Sequence, residues 1–164
     1  ADYNYRIDRK TALLMATSCQ AAAVASGASE DEINRFYQIG YNLGMDFQIK
    51  DDLLDMTIDS EKLGKPAGSD LARGIMTLPT ILVLEKSFAE RDELINLIEN
   101  RFPKGQDDVD RAIAIVLAQN GISDAEVYAE QYLKQAEADI AALPDYPMKK
   151  VLLEGVDYLR ERAF

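Results

Sequence analysis

Apolar residues recur at intervals of three and four positions along most of the chain, and no stretch shows the strict alternation that is typical of a β-strand. This spacing is typical of amphipathic α-helices that bury one face. We therefore expect an all-α protein. The pattern and its interruptions predict helices at residues 8–26, 29–55, 77–88, 92–99, 107–120, 123–143 and 148–162.

Capping residues and glycines set the predicted helix ends. Asp8 is expected to cap the first helix and Gly27 to end it, because a short polar side chain accepts from the first N–H groups and glycine tolerates the backbone of a helix C-terminus. Ser29 and Glu32 have the spacing of a capping box at the start of the second helix. A glycine-rich break follows at 60–74, and Pro79 is tolerated in the first turn of the next helix.

Three carboxylates near the end of the second predicted helix are the strongest candidates for chemistry. Asp51, Asp52 and Asp55 follow Gln48, and at about 3.6 residues per turn Asp51 and Asp55 share a stripe with Gln48 while Asp52 lies at its margin. Such oxygen ligands suit Mg²⁺, which proteins usually hold with one or two carboxylates and substrate phosphates. Taken alone, however, an acidic triplet is more often a solvated helix face.

Two glycines precede the carboxylates on the same stripe. Gly40 and Gly44 would either leave space for a ligand or allow another helix to pack closely against this one. The residues themselves leave both interpretations open.

The break after the carboxylates contains glycines and a lysine. At Gly64 and Gly68 backbone N–H groups can approach an anion, and Lys65 supplies a point charge for a phosphate. Alone this signal is weak, because such loops are common. Directly after a carboxylate helix it gains weight, since a carboxylate-held metal and Lys65 could grip opposite sides of a diphosphate.

The composition excludes several kinds of chemistry. A net charge of -11 argues against a nucleic-acid partner. The chain has no histidine and so no imidazole base or metal ligand. Cys19 is the single cysteine, which excludes an internal disulfide and is typical of a reducing compartment, so a cytoplasmic location is expected. Residues 11–29 carry no charge, but their serine, threonine, glutamine and alanine content argues against a transmembrane segment.

Residues 44–79 closely resemble the second aspartate-rich region of the trans-isoprenyl diphosphate synthases, the polyprenyl synthetase family. The family pattern is Gly-x-x-Phe-Gln-x-x-Asp-Asp-x-x-Asp, then Gly-Lys-x-x-Gly-x-Asp-Leu, then Thr-Leu-Pro. The matching positions are Gly44, Phe47, Gln48, Asp51, Asp52, Asp55, Gly64, Lys65, Gly68, Asp70, Leu71, Thr77, Leu78 and Pro79. Upstream, Lys10 and Thr11 are similar to the family's lysine–threonine pair. The resemblance covers essentially the whole chain and is closest to long-chain bacterial members such as the heptaprenyl diphosphate synthases.

The resemblance implies an isoprenoid-synthase helical bundle, Mg²⁺ as cofactor, and condensation of an allylic prenyl diphosphate with isopentenyl diphosphate. It implies that Asp51 binds the metal directly and that Asp52 and Asp55 hold it through waters or tune the site. It further implies that two lysines clamp the phosphates, that a threonine and a glutamine donate hydrogen bonds, and that a phenylalanine faces the hydrocarbon or the developing cation. The two lysines are Lys10 and Lys65, the hydrogen-bond donors are Thr11 and Gln48, and the phenylalanine is Phe47.

The sequence departs from the family pattern in two ways. Ile75 stands where many members carry a further lysine, so weaker diphosphate contacts are expected. The first Asp-Asp-x-x-Asp motif and the basic site for isopentenyl diphosphate are missing, and the acidic run 107–110 has the wrong spacing to replace that motif. Residues 1–164 are therefore expected to form a single partial domain, the C-terminal half of the bundle, and to be inactive alone.

A half-bundle should expose apolar surface, so we expect a homo-oligomer or a complex with the missing N-terminal half or a small subunit. Two other classes of function stay open. One is a non-catalytic partner or regulatory subunit of the same fold. The other is a helical interaction domain whose acidic residues are only surface.

Overall fold

A computed structural model describes residues 2–57 and 67–161, and every regular element in those ranges is helical. This confirms the all-α prediction. The elements are α1 (Asp2–Ile7), a π-helical turn (Asp8–Ala12), α2 (Leu13–Ala25), α3 (Glu30–Thr57), α4 (Ser69–Ala72), α5 (Leu78–Leu84), α6 (Arg91–Glu99), α7 (Gln106–Ala118), α8 (Gly121–Ala141) and α9 (Lys149–Glu161).

The start of α3 confirms the predicted capping box. The Ser29 N–H donates to Glu32 Oε2 at 2.9 Å, and the Glu32 N–H donates back to Ser29 Oγ at 3.4 Å. Acidic residues fill the first turn, where the positive end of the helix dipole favours them.

Two predicted helix ends are wrong. Asp8 is not an N-cap, because Ile7 before it is already helical and the chain runs without a break from α1 through the π-helical turn into α2. The helix predicted for 77–88 ends at Leu84. Its last carbonyl accepts a hydrogen bond from Arg91 Nε at 3.1 Å, which satisfies a group that another helical turn would otherwise bond.

The chain divides into two compact units, which we describe separately. Of the described residues, unit 1 comprises 2–50 and 128–161, and unit 2 comprises 51–57 and 67–127. The boundary falls within α3, directly before Asp51. The prediction of a single partial domain stays a prediction.

In unit 1, α2 and α3 pack at very short range through glycines. A Cβ added to Gly40 would lie 2.6 Å from the Met15 carbonyl oxygen, and one added to Gly44 would lie 2.7 Å from Ala12 Cα. Of the two interpretations of these glycines, the structure therefore supports close helix packing. A buried cluster beside this contact contains Ile39, Leu133, Ile140, Leu143 and Val156.

Unit 2 has its own core. Gly68 adopts a left-handed conformation (φ +71°), and a Cβ there would lie 2.6 Å from Ile113 Cδ1 and 2.8 Å from Val109 Cγ1 of α7. The start of α4 is thus held against that helix. The buried members of the core are Met56, Leu71, Val83, Leu94, Phe102, Val109, Ala112, Ile113, Ile115 and Val116.

Within 2–57 and 67–161, no helix is both long enough and apolar enough to cross a membrane. The uncharged stretch that raised this question becomes the π-helical turn and α2.

Candidate functional site

The aspartate-rich sequence lies on the last two turns of α3, and its three carboxylates differ sharply in exposure. Asp51 is exposed to solvent, whereas Asp52 and Asp55 are each only 4% exposed. Asp51 is therefore the most accessible of the three carboxylates. Asp51 and Asp55 lie on the same stripe of the helix, but the first is exposed and the second is buried.

The Asp55 carboxylate accepts hydrogen bonds from residues at the start of α4. Its Oδ1 accepts from Ser69 Oγ at 2.8 Å, and its Oδ2 accepts from the Asp70 N–H at 2.9 Å. The Asp55 carbonyl oxygen also accepts from the Gly68 N–H at 2.6 Å. One residue of α3 thus holds the N-terminal end of α4.

In unit 1, the structure brings Thr11 and Gln48 together. The Thr11 hydroxyl donates to Gln48 Oε1 at 2.5 Å, and the Gln48 side chain is 2% exposed. Thr11 and the exposed Lys10 both lie in the π-helical turn. Such turns are rare and occur often at functional sites, because the extra residue re-aims the side chains around it.

A buried ion pair lies one turn before the carboxylates, at positions that the sequence pattern did not single out. Asp46 is 0% exposed, and its Oδ1 lies 3.6 Å from Lys50 Nζ, which is longer than a hydrogen bond. The lysine instead donates to the carbonyl oxygen of Leu159 near the C-terminus of α9. Burial raises the pKa of Asp46 to about 6, although the charge of Lys50 opposes this shift. The i, i+4 spacing was visible in the sequence, but the burial was not.

The remaining predicted residues lie as follows. Phe47 is half-buried in unit 1. Ile75 is half-buried in unit 2, and its N–H donates to the Asp70 carbonyl at 2.9 Å. Lys65, the predicted phosphate-binding lysine of the loop, lies outside the described residues.

The acidic run 107–110 behaves as a helix start, as the sequence indicated. It falls in the first turn of α7, where Asp108 Oδ2 accepts from the Lys104 N–H at 2.9 Å. That bond satisfies a backbone donor just before the helix.

A magnesium ion at this site would be held by few protein ligands. Among the residues that the structure describes, no group of three or more acidic or cysteine side chains is clustered as a metal cage. Mg²⁺ does not need such a cage, since it retains waters and commonly binds through one or two carboxylates together with phosphate oxygens. An exposed Asp51 with a buried Asp52 beside it fits that donor chemistry.

Known proteins resemble this chain over most of its length. A family model described as polyprenyl synthetase matches residues 1–116. Heptaprenyl diphosphate synthase component 2 of Bacillus subtilis (strain 168) is 38% identical over 162 residues, which are 99% of this chain and 45% of that protein. The chloroplastic solanesyl-diphosphate synthase 2 of Oryza sativa subsp. japonica is 37% identical over 161 residues, which are 98% of this chain and 39% of that protein.

Solved structures give the same result. Heptaprenyl diphosphate synthase from Staphylococcus aureus matches with a TM-score of 0.90 at 34% identity, covering 99% of this chain and 50% of that one. The chain thus spans about half the length of the relatives it matches. These findings confirm the resemblance and the helical isoprenyl synthase fold, and the chain belongs to the polyprenyl synthetase family.

Proposed function

We propose that this chain supplies the second aspartate-rich motif of a prenyltransferase that condenses an allylic prenyl diphosphate with isopentenyl diphosphate. The observation that carries the proposal is the contrast among three carboxylates at motif spacing, of which Asp51 alone is exposed. Membership of the polyprenyl synthetase family supports chain elongation as the reaction class.

In this proposal Asp51 binds Mg²⁺ directly, and Asp52 supports the site from its buried position on the same helix. When bound, the metal supplies electrostatic stabilisation of the negative charge that develops on a departing diphosphate. Lys10 and Lys65 neutralise phosphate oxygens as point charges. Phe47 lines the path of the hydrocarbon and its face stabilises a developing cation.

Thr11 and Gln48 contribute as a bonded pair. Because Thr11 donates its hydroxyl hydrogen to Gln48 Oε1, the amide group of Gln48 is fixed with its nitrogen turned away from that contact. We propose that this arrangement sets the amide donor for the diphosphate, while the threonine acts by holding the glutamine. The chain has no histidine to act as a base. The condensation ends with the loss of a proton, and in this proposal the diphosphate product accepts it.

The proposed activity needs more chain than these residues. The relatives are about twice as long, and the first aspartate-rich motif is absent from this sequence. We therefore propose that the chain does not elongate prenyl diphosphates alone and that it acts as a homo-oligomer or with an N-terminal half or small subunit. The Bacillus subtilis relative is itself named as a component.

Titration calorimetry with inorganic diphosphate tests the proposal. The chain should bind diphosphate when Mg²⁺ is present and should release no binding heat when EDTA replaces the metal. Asp51→Ala should lose the Mg²⁺-dependent heat. The absence of coupled binding in the unmodified chain would refute the ligand site and leave a helical interaction domain as the better description.

An elongation assay separates the enzyme from a non-catalytic subunit. Labelled isopentenyl diphosphate and a short allylic diphosphate should give no longer product with the purified 164-residue chain. Turnover by this chain alone would contradict the proposed dependence on a second half. Binding without turnover even after an N-terminal half is added would favour a regulatory subunit.

A further inference from the structure

Asp55 belongs to the aspartate-rich motif by spacing, but its contacts are those of a structural connector. Both carboxylate oxygens accept hydrogen bonds from the start of α4. The Ser69 hydroxyl donates to one at 2.8 Å, and the Asp70 N–H donates to the other at 2.9 Å. Its carbonyl oxygen accepts from the Gly68 N–H at 2.6 Å. Three bonds therefore join one residue at the end of α3 to three successive residues at the start of α4.

The need for this connector follows from Gly68. The N-cap position of α4 is occupied by a glycine, which has no side chain to accept from the first N–H groups of the helix. Glycine is favoured there, because a Cβ would lie 2.6 Å from Ile113 Cδ1 and 2.8 Å from Val109 Cγ1 and the backbone is left-handed. Asp55 supplies the missing acceptor from a different helix.

Residues 68–71 are also anchored to the core of unit 2. Leu71, one residue after the bonded pair, is 0% exposed in the core of unit 2, and the Asp70 carbonyl accepts from the Ile75 N–H at 2.9 Å. Residues 68–71 are thus fixed both to the core and to the last turn of α3. A change at Asp55 would release only the second attachment.

We propose that Asp55 is a positioning residue and not a metal ligand: it contributes to diphosphate binding by holding Ser69 and Asp70 against the end of α3. The inference rests on the proposed function, since it assigns a part in the same site. The direct metal contact is left to the exposed Asp51. Two carboxylates of one motif thus have different roles: Asp51 binds the metal, and Asp55 positions the residues beside it.

Two binding constants distinguish a positioning residue from a ligand. One is the dissociation constant of inorganic diphosphate at saturating Mg²⁺, and the other is the Mg²⁺ concentration that gives half-saturation at saturating diphosphate. In Asp55→Asn the diphosphate dissociation constant should rise about tenfold, the scale of one lost hydrogen bond to a charged group, while the Mg²⁺ midpoint stays within about twofold. Loss of a ligand would instead move the Mg²⁺ midpoint.

Ser69→Ala provides the decisive companion variant. Ser69 carries no carboxylate, yet it donates one of the two hydrogen bonds to the Asp55 carboxylate. It should weaken diphosphate binding in the same direction as Asp55→Asn. The double variant should be no weaker than Asp55→Asn alone, because both changes break the same connection.

Val83→Ala is the matched control for loss of stability. Val83 is 0% exposed in the core of unit 2 and has no part in the connector. It should lower the unfolding temperature and leave both constants unchanged, which separates a positioning effect from general destabilisation.

Three results would overturn the inference. They are a tenfold or larger shift of the Mg²⁺ midpoint in Asp55→Asn, an unchanged diphosphate constant in Ser69→Ala, and additive losses in the double variant. Absence of Mg²⁺-dependent binding in the unmodified chain is a different outcome, which would remove the proposed function together with this inference.

Discussion

Asp46 and Asp55 lie nine positions apart on α3 and are both almost inaccessible to solvent, yet their carboxylates have opposite surroundings. Asp55 accepts one hydrogen bond on each oxygen. Neither oxygen of Asp46 has a hydrogen-bond partner among the described residues, and its nearest cation lies 3.6 Å away. Burial alone therefore does not reveal what a carboxylate does; the donors around it decide whether its charge is stabilised.

The difference also bears on where the chemistry lies. Asp46 is outside the aspartate-rich motif and Asp55 is inside it, but both have structural surroundings. Between them, Asp51 is exposed. One helix thus carries a carboxylate whose charge is costly to bury, a carboxylate that accepts hydrogen bonds from the chain, and a carboxylate that is exposed to solvent.

Removing the lysine beside Asp46 should have the largest effect on stability. Lys50→Met leaves the Asp46 carboxylate without its cation and the Leu159 carbonyl without its donor, so the free energy of unfolding should fall by about 3 kcal/mol at pH 8. Urea unfolding followed by circular dichroism measures it. Adding Asp46→Asn to Lys50→Met should recover part of the loss; equal losses in the single and double variants would show that the pair carries no interaction.

Replacing Asp46 itself should change the pH dependence of stability. The native pKa of about 6 lies above the ordinary value of 3.8, so the folded chain binds the proton more tightly and its stability falls as the pH rises from about 4 to 6. Asp46→Asn removes this dependence. Relative to the unmodified chain, the variant should gain about 2 kcal/mol between pH 4 and pH 8, since each pKa unit corresponds to about 1.4 kcal/mol and part of the shift already acts below pH 4.

This prediction is checked by urea unfolding of both chains at several pH values, which cancels the titration of all other groups. Tyr132, whose pKa is also raised by burial, titrates well above this range. A difference between the two chains that stays flat from pH 4 to pH 8 would contradict the view of Asp46 as a strained buried acid.

The same substitution at Asp55 should be destabilising at pH 8. Asp55→Asn replaces one of the two accepting oxygens by an amide donor, so it should lower the free energy of unfolding by about 2 kcal/mol, the usual cost of losing a hydrogen bond to a charged group. Asp46→Asn should cost less at that pH, because it breaks the contact with Lys50 but also removes a carboxylate whose charge is costly to bury. Thermal unfolding of the two variants side by side checks the contrast, and a stabilising Asp55→Asn would break it.

Much of this architecture could be predicted from local sequence. The α3 capping box, Thr77 before Pro79 and the seven helical segments follow from rules that act over a few residues. The end of α5 at Leu84 could not, because it depends on the Arg91 side chain seven positions later. Asp8 failed as a cap because the sequence before it is helical as well.

The candidate site divides in the same way. The motif on α3 was visible as spacing, but the separate environments of Asp51 and Asp55 depend on residues brought back by the fold. Lys50 finds its partner 109 positions away, at Leu159. Gly44 was compatible with ligand space or close packing, and only the backbone of Ala12 in the π-helical turn decides between them.

The central claim is that Asp51 is the metal-binding carboxylate of this helix, and calorimetry on Asp51→Asn tests it most directly. Since Asp51 is exposed, the substitution should change the free energy of unfolding by no more than about 0.5 kcal/mol. Titration of Mg²⁺ at saturating inorganic diphosphate should nevertheless show no saturable binding. An Asp51→Asn chain that binds Mg²⁺ and diphosphate as tightly as the unmodified chain would contradict the account.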